Sequence, residues 1–183
     1  VIKAGSYDAV FDIGANIGAH TMNFAKYTGS QSRIYAIKPT QFAIDKLNIN
    51  LALNKELNSK VSSHQVLLTN SNGDVGIKAI SSSWDIAEDF SSLSRNQFDG
   101  GYAKSTSSAI EMTLDHFVKD QNITEVHLIK LDVDGNEVDI LKGSSDTFKR
   151  FKPTLLVELS PIHFENKDQP YTYYLEVTRE PEW

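Results

Sequence analysis

Residues 9–18 read Ala-Val-Phe-Asp-Ile-Gly-Ala-Asn-Ile-Gly, and no other stretch limits the available folds as much. Three apolar residues, Ala9, Val10 and Phe11, run into Asp12, and Gly14 and Gly18 then bracket a short polar turn. From Ala19 to Lys26 the spacing is helical. A strand that ends in a Gly-rich turn and opens a helix is the first unit of a nucleotide-binding α/β fold. Gly14 is expected to let the backbone turn tightly, and to let a ligand lie against it without meeting a Cβ. Asp12 is expected at the carboxyl end of the strand, facing the ligand crevice of such folds. An ordinary βα turn without a ligand reads the same way on this stretch alone.

A chain of 183 residues suffices for one domain, taken here as 1–183, with a substantial core. Its formal charge of -6 argues against a nucleic-acid backbone as the main partner. No apolar run approaches the roughly 20 residues of a membrane span, and no signal-peptide pattern opens the chain. The absence of cysteine excludes disulfides and thiolate metal sites. It fits a reducing compartment, and a cytoplasmic location is expected. Residue 1 lies just before the first core strand, so flanking segments beyond both ends are expected.

Arg33 to Ile37 is a short β-rich run halted by Lys38-Pro39, because proline forces Lys38 out of helical geometry. Thr40 is placed to cap a helix from Gln41 to about Asn54, and His64 to Thr69 is the third strand candidate. This alternation predicts an α/β fold: a mostly parallel central sheet with helices on both faces. The pattern loosens over about 75–112, an insertion or lid-like segment. Val75 to Ile80 is a strand candidate, and residues 81–108 are serine-rich and aperiodic, either a surface loop or a substrate-contacting one. A short helix follows over Leu114 to Lys119. His127 to Val133 is a strong strand, then come helices over Glu137 to Lys142 and Ser145 to Phe151. Thr154 to Leu159 is the fifth strand. In the polar, aromatic tail, Tyr171 to Val177 is a candidate edge strand.

The five predicted strands end at Asp12, Lys38, Asn70, Asp132 and Glu158, so these polar groups are expected to converge on one crevice. Strands that are only structural also end at polar residues. A dinucleotide fingerprint requires Gly-x-Gly-x-x-Gly. Here Gly14 and Gly18 stand four apart, Ala15 follows the first, and Asp12 would repel a phosphate. An acid beside a bare turn suits an ammonium-bearing ligand without phosphate, such as the amino-acid part of S-adenosylmethionine. A nicotinamide oxidoreductase therefore fails on glycine spacing.

At these residues the sequence resembles the FkbM-type, class I S-adenosylmethionine-dependent methyltransferases. Asp12-Ile-Gly-Ala-Asn-Ile-Gly18 is similar to the first class I motif, and Leu47, Asn50, Leu53 and Asn54 match a Leu-x-x-Asn-x-x-Leu-Asn pattern. Thr113-Leu114-Asp115, Ile129-Lys-Leu-Asp-Val-Asp-Gly-Asn-Glu137, Leu141-Lys-Gly143 and Lys152-Pro-Thr-Leu-Leu-Val-Glu158 follow in family order. The resemblance implies a Rossmann-like fold and S-adenosylmethionine as cofactor. It also implies O-methylation of a hydroxyl on a sugar or other small metabolite. By it, Asp12, Gly14, Ala15, Asn16 and Gly18 surround the methionine part, and Asn70 sits near the adenine. Lys38 and Pro39 flank the ribose, and Asp132 lies by the reacting centre. The family usually carries Glu where this chain has Lys38, and an ammonium cannot accept the two ribose hydroxyls. A domain that keeps the fold but binds cofactor weakly, as an interaction or regulatory module, is the alternative.

Methyl transfer to a hydroxyl is helped by a general base. Asp132, Asp134 and Glu158 are the catalytic candidates, with Glu137 and His163 near them in sequence. Asp134 and Glu137 could equally serve the following helix as cap and dipole partner. His20, His64, His116 and His127 lack metal-ligand spacing, and no metal is expected. Oligomeric state has no signature in the sequence.

Overall fold

The structure, a computed structural model, describes residues 8–73, 79–80, 104–106, 108–158, 172 and 174. In chain order the elements begin with β1 (Ala9–Ile13), α1 (Ala19–Tyr27), β2 (Arg33–Ile37), α2 (Gln41–Leu53), α3 (Lys55–Asn58) and β3 (Val61–His64). Then come β4 (Val66–Leu68), β5 (Ala79–Ile80), β6 (Lys104–Ser105), β7 (Ile110–Met112) and α4 (Leu114–Asp120). The described order closes with β8 (Leu128–Leu131), α5 (Glu137–Lys142), α6 (Ser145–Phe151) and β9 (Thr154–Val157).

Among the described residues, five strands pair in parallel in the order β3-β2-β1-β8-β9. The chain runs outward from β1 through β2 to β3, then returns to the other flank of β1. A topological switch point therefore lies between the carboxyl ends of β1 and β8. All five residues of β1 are buried, as befits the central strand of a sheet covered on both sides.

Side chains alternate along each strand, and the two faces carry different helices. Phe11, Ile13, Ile129 and Leu131 pack with Phe117, Ile140, Leu141 and Phe148 of α4, α5 and α6. Val10, Ile34 and Leu128 face Phe24 and Ala25 of α1, while Ala36 meets Leu47 and Leu51 of α2. Asp12 and Lys130 share the parity of Val10 and Leu128, so they point toward α1.

The predicted third strand, His64 to Thr69, is two elements. Val61–His64 joins the central sheet, while Val66–Leu68 leaves it and pairs with β7. The apolar run Val-Leu-Leu is buried in that separate pairing; Val-Ser-Ser-His lies at the sheet edge, where polar residues are tolerated. Gln65 marks the break, its side-chain amide donating to the carbonyl of Pro39 and the hydroxyl of Ser108.

Other boundaries move less. The second helix ends at Leu53, and α3 restarts after Asn54. Thr40 holds the N-cap position of α2 without a side-chain cap bond, whereas the Thr113 hydroxyl does cap α4, accepting from the His116 N–H at 3.1 Å. The strands predicted over His127–Val133 and Thr154–Leu159 are shorter at Leu128–Leu131 and Thr154–Val157. Of Val75–Ile80, the described part, Ala79–Ile80, pairs antiparallel with β6. Most of 81–108, the tail strand proposed over Tyr171 to Val177, and His163 lie outside the described residues. Among the described residues, no helix is long and apolar enough to cross a membrane.

Candidate functional site

Asp12 lies within β1 and is fully buried, so it does not face the crevice as expected. Strand alternation explains this: Ile13, its neighbour, takes the crevice side. The Asp12 carboxylate accepts a 2.6 Å hydrogen bond from the Thr21 hydroxyl of α1 through Oδ2. Its Oδ1 lies 3.3 Å from Nζ of Lys130, an ion pair without hydrogen-bond geometry. Parallel register puts Lys130 directly beside Asp12. The positive charge expected of a ligand is thus supplied at Asp12 by the chain itself.

Lys130 is 4% exposed and reaches two further groups. Its Nζ donates to the Gly14 carbonyl at 3.2 Å and pairs with Oδ2 of Asp132 at 3.1 Å. The Asp132 side chain is 34% exposed, so it is the member of the cluster that meets solvent. Two carboxylates against one ammonium leave one formal negative charge in excess at the switch point.

The turn after β1 is shaped by its neighbours. Gly14 has φ +84°, and a Cβ there would lie 1.7 Å from the Asp132 carbonyl oxygen. On its Cβ side, the space that glycine keeps open is taken by the β8 backbone, so close packing of the two strands requires glycine there. Asn16, at φ 49°, adopts the left-handed conformation that asparagine tolerates. The Asn50 amide donates to the Ile17 carbonyl at 2.8 Å, and a Cβ on Gly18 would meet Leu47 Cδ1 at 2.5 Å. The asparagine and leucine of α2 therefore hold the turn from the outside.

A narrow crevice lies beyond the ends of β1 and β2, walled by Ile13, Gly14, Ile37, Lys38, Pro39, Val66–Leu68, Val133, Asn136 and Ile140. It holds about 20 Å³, roughly one water. Lys38 is buried in its wall. A larger groove of about 440 Å³ lies between α4 and α6, near Lys119, Ile123, Arg150 and Phe151. Ile123 and Phe151 precede β8 and β9, so this groove sits away from the strand carboxyl ends.

After β8 the chain turns through Asp134 and Gly135, both at positive φ. Glu137 is 1% exposed, and its carboxylate accepts the N–H groups of Val133 and Gly135 at 3.1–3.2 Å. That is a structural task. Asn136, and not Asp134, holds the N-cap position of α5; its amide donates to the Leu68 carbonyl at 2.8 Å. Asn70 follows β4, outside the central sheet, and its exposed amide donates to Asp139 at 2.9 Å. Glu158 is exposed at the end of β9, its N–H donating to the Leu131 carbonyl. The structure thus brings together Asp12, Gly14 and Asp132 through Lys130, and puts Lys38 and Pro39 on the crevice wall. Asn70 and Glu158 stand apart from that cluster.

Among the described residues, no three His, Cys, Asp or Glu side chains gather as metal ligands. His127 is structural, its Nδ1 accepting from the Ala9 N–H at 3.2 Å. The residue that sequence reasoning left without a role is Lys130. Its signal was a lysine inside the apolar run His-Leu-Ile-Lys-Leu, because a buried charge requires a partner.

A parallel sheet reversing beside a glycine turn, clad by helices on both faces, is the Rossmann-like fold of class I methyltransferases. Within that class the chain belongs to the FkbM methyltransferase family: it matches "Methyltransferase FkbM domain" over residues 12–179. It is similar in structure to an FkbM methyltransferase from Methylobacillus flagellatus KT, at 20% identity and a TM-score of 0.60. That match covers 97% of this chain and 39% of the other, so this chain spans about two fifths of that protein. A putative rRNA-methylase from Clostridium thermocellum aligns at 14% identity and a TM-score of 0.49, over 96% of this chain and 74% of that one. Among curated proteins, none matches.

Proposed function

We propose that the chain is an S-adenosylmethionine-dependent methyltransferase that O-methylates a hydroxyl on a sugar or other small metabolite. The carrying observation is the excess negative charge of Asp12, Lys130 and Asp132 at the switch point, set against the Gly14 turn. That charge suits a ligand bearing a sulfonium and an ammonium, and disfavours a diphosphate. The charge fits the cofactor. The volume does not match: the crevice holds about 20 Å³, against about 300–1,000 Å³ for a ligand pocket.

In this reading Asp132, with Lys130 and Asp12 behind it, would hold the positively charged part of the cofactor. The turn of Gly14, Ala15, Asn16 and Gly18 borders the methionine part. Lys38 and Pro39 border the ribose, and Asn70 lies toward the adenine. When bound, S-adenosylmethionine supplies a methyl group made electrophilic by a positive sulfur. The chain aligns the acceptor with that carbon and excludes water. Asp132, Asp134 and Glu158 are the candidate bases that would take the proton of the acceptor hydroxyl. Incubation with methyl-tritiated cofactor and a panel of sugars and hydroxylated metabolites tests this. Label on a hydroxyl oxygen is expected, and label only on nitrogen or carbon would contradict the O-methyl assignment.

Two observations favour the second reading, a non-catalytic domain acting as an interaction or regulatory module. Lys38 stands buried where the family usually has a ribose-binding carboxylate, and the crevice holds about 20 Å³. Such a domain should show no saturable binding of S-adenosylhomocysteine.

A further inference from the structure

Methyl transfer needs no ammonium inside the sheet, yet Lys130 sits in a strand buried at all four positions. Burying a charge is costly unless it is paired and hydrogen-bonded. One partner, Asp12, would neutralise it. Lys130 instead reaches three groups on two strand ends: Asp12 Oδ1, the Gly14 carbonyl and Asp132 Oδ2. The last two belong to the turn and to the part-exposed carboxylate that border the switch point. With Oδ2 held, the Asp132 carboxylate cannot rotate freely, and its Oδ1 has no hydrogen-bond or ion-pair partner among the described residues.

We propose that Lys130 is a positioning residue for the cofactor. It clamps Asp132 Oδ2 to the Gly14 carbonyl, so that Asp132 Oδ1 is presented to the positive sulfur. Asp12 anchors the clamp, and Thr21 anchors Asp12. The inference rests on the cofactor assignment above. It differs from a purely structural role, in which Lys130 only neutralises Asp12.

The two roles separate on the preference for S-adenosylmethionine over S-adenosylhomocysteine, which lacks the sulfonium charge. Changing Lys130→Met alone would orphan a buried carboxylate, so the test changes Asp12→Asn and Lys130→Met together. Calorimetric titration of that variant is compared with Asp132→Asn and with all three changes combined. The clamp predicts that the paired variant loses about tenfold in affinity for S-adenosylmethionine and much less for S-adenosylhomocysteine. Asp132→Asn should lose the same preference, and the triple variant should be no worse. Equal losses for both ligands, or losses that multiply in the triple variant, would overturn the clamp while leaving the cofactor assignment standing. Wild-type protein that binds neither ligand would overturn the assignment itself. Should the paired variant fail to fold, Lys130→Arg keeps the charge and alters the reach. A reduced preference is then expected, and an unchanged one overturns the clamp.

Discussion

Lys38 is a buried lysine beside the apolar side chains of the crevice wall. It is 5% exposed, at the position for which the family resemblance implies a ribose-binding carboxylate. Lys38→Glu is expected to tighten S-adenosylmethionine binding about ten- to a hundred-fold, the worth of a charge-assisted hydrogen bond. Unchanged affinity in a calorimetric titration would show that the ribose is held elsewhere. His64 offers a prediction on pH. Its ring stands against Tyr35 and Phe117, at 6.1 and 4.9 Å between centroids, and burial lowers its pKa below the usual 6.5. As pH falls through that value, the unfolded chain takes up the proton first, so folding loses stability with acidity. The urea midpoint should fall between about pH 7 and pH 5, with His64→Phe flattening the slope. An identical slope in the variant would assign the loss to other groups.

At the scale of elements, the Thr113-Leu114-Asp115 stretch joins two helices. Thr113 caps α4, and Leu114 is 1% exposed in the core. Asp115 reaches across to α6, accepting from the N–H groups of Asp146 and Thr147 at 3.0 and 2.7 Å and from the Thr147 hydroxyl at 2.6 Å. The first turn of α6 thus depends on a cap supplied by another helix. Asp115→Ala should cost about 1–3 kcal/mol in urea denaturation, and an unmoved midpoint would contradict that dependence. A cap lies within a few residues of what it caps, yet the cap expected from the sequence was Thr40, which makes no side-chain bond, and the one at Thr113 was not singled out. The sequence could not reveal the Asp115 contact, because 31 residues separate it from Asp146. The division of β3 from β4 escaped for a similar reason: an apolar triplet looks alike in the central sheet and in a pairing with β7.

Across the whole molecule, the parallel sheet and its two helical layers were legible because strands buried on both faces read as apolar runs. The glycine turn was legible as a turn, but not as one packed against the β8 backbone at Asp132. The orientation of Asp12 follows from strand alternation, since Val10 and Asp12 share a face and Phe11 and Ile13 share the other. Its pairing with Lys130 does not follow until the register of β1 against β8 is known. What the cluster then presents is a switch point with one negative charge in excess, beside a crevice of about 20 Å³. Calorimetric titration of the unmodified chain with S-adenosylmethionine and S-adenosylhomocysteine tests this most directly. The account predicts saturable binding of both, tighter for the charged sulfonium. No saturable heat at millimolar ligand, or equal affinity for the two, would contradict it.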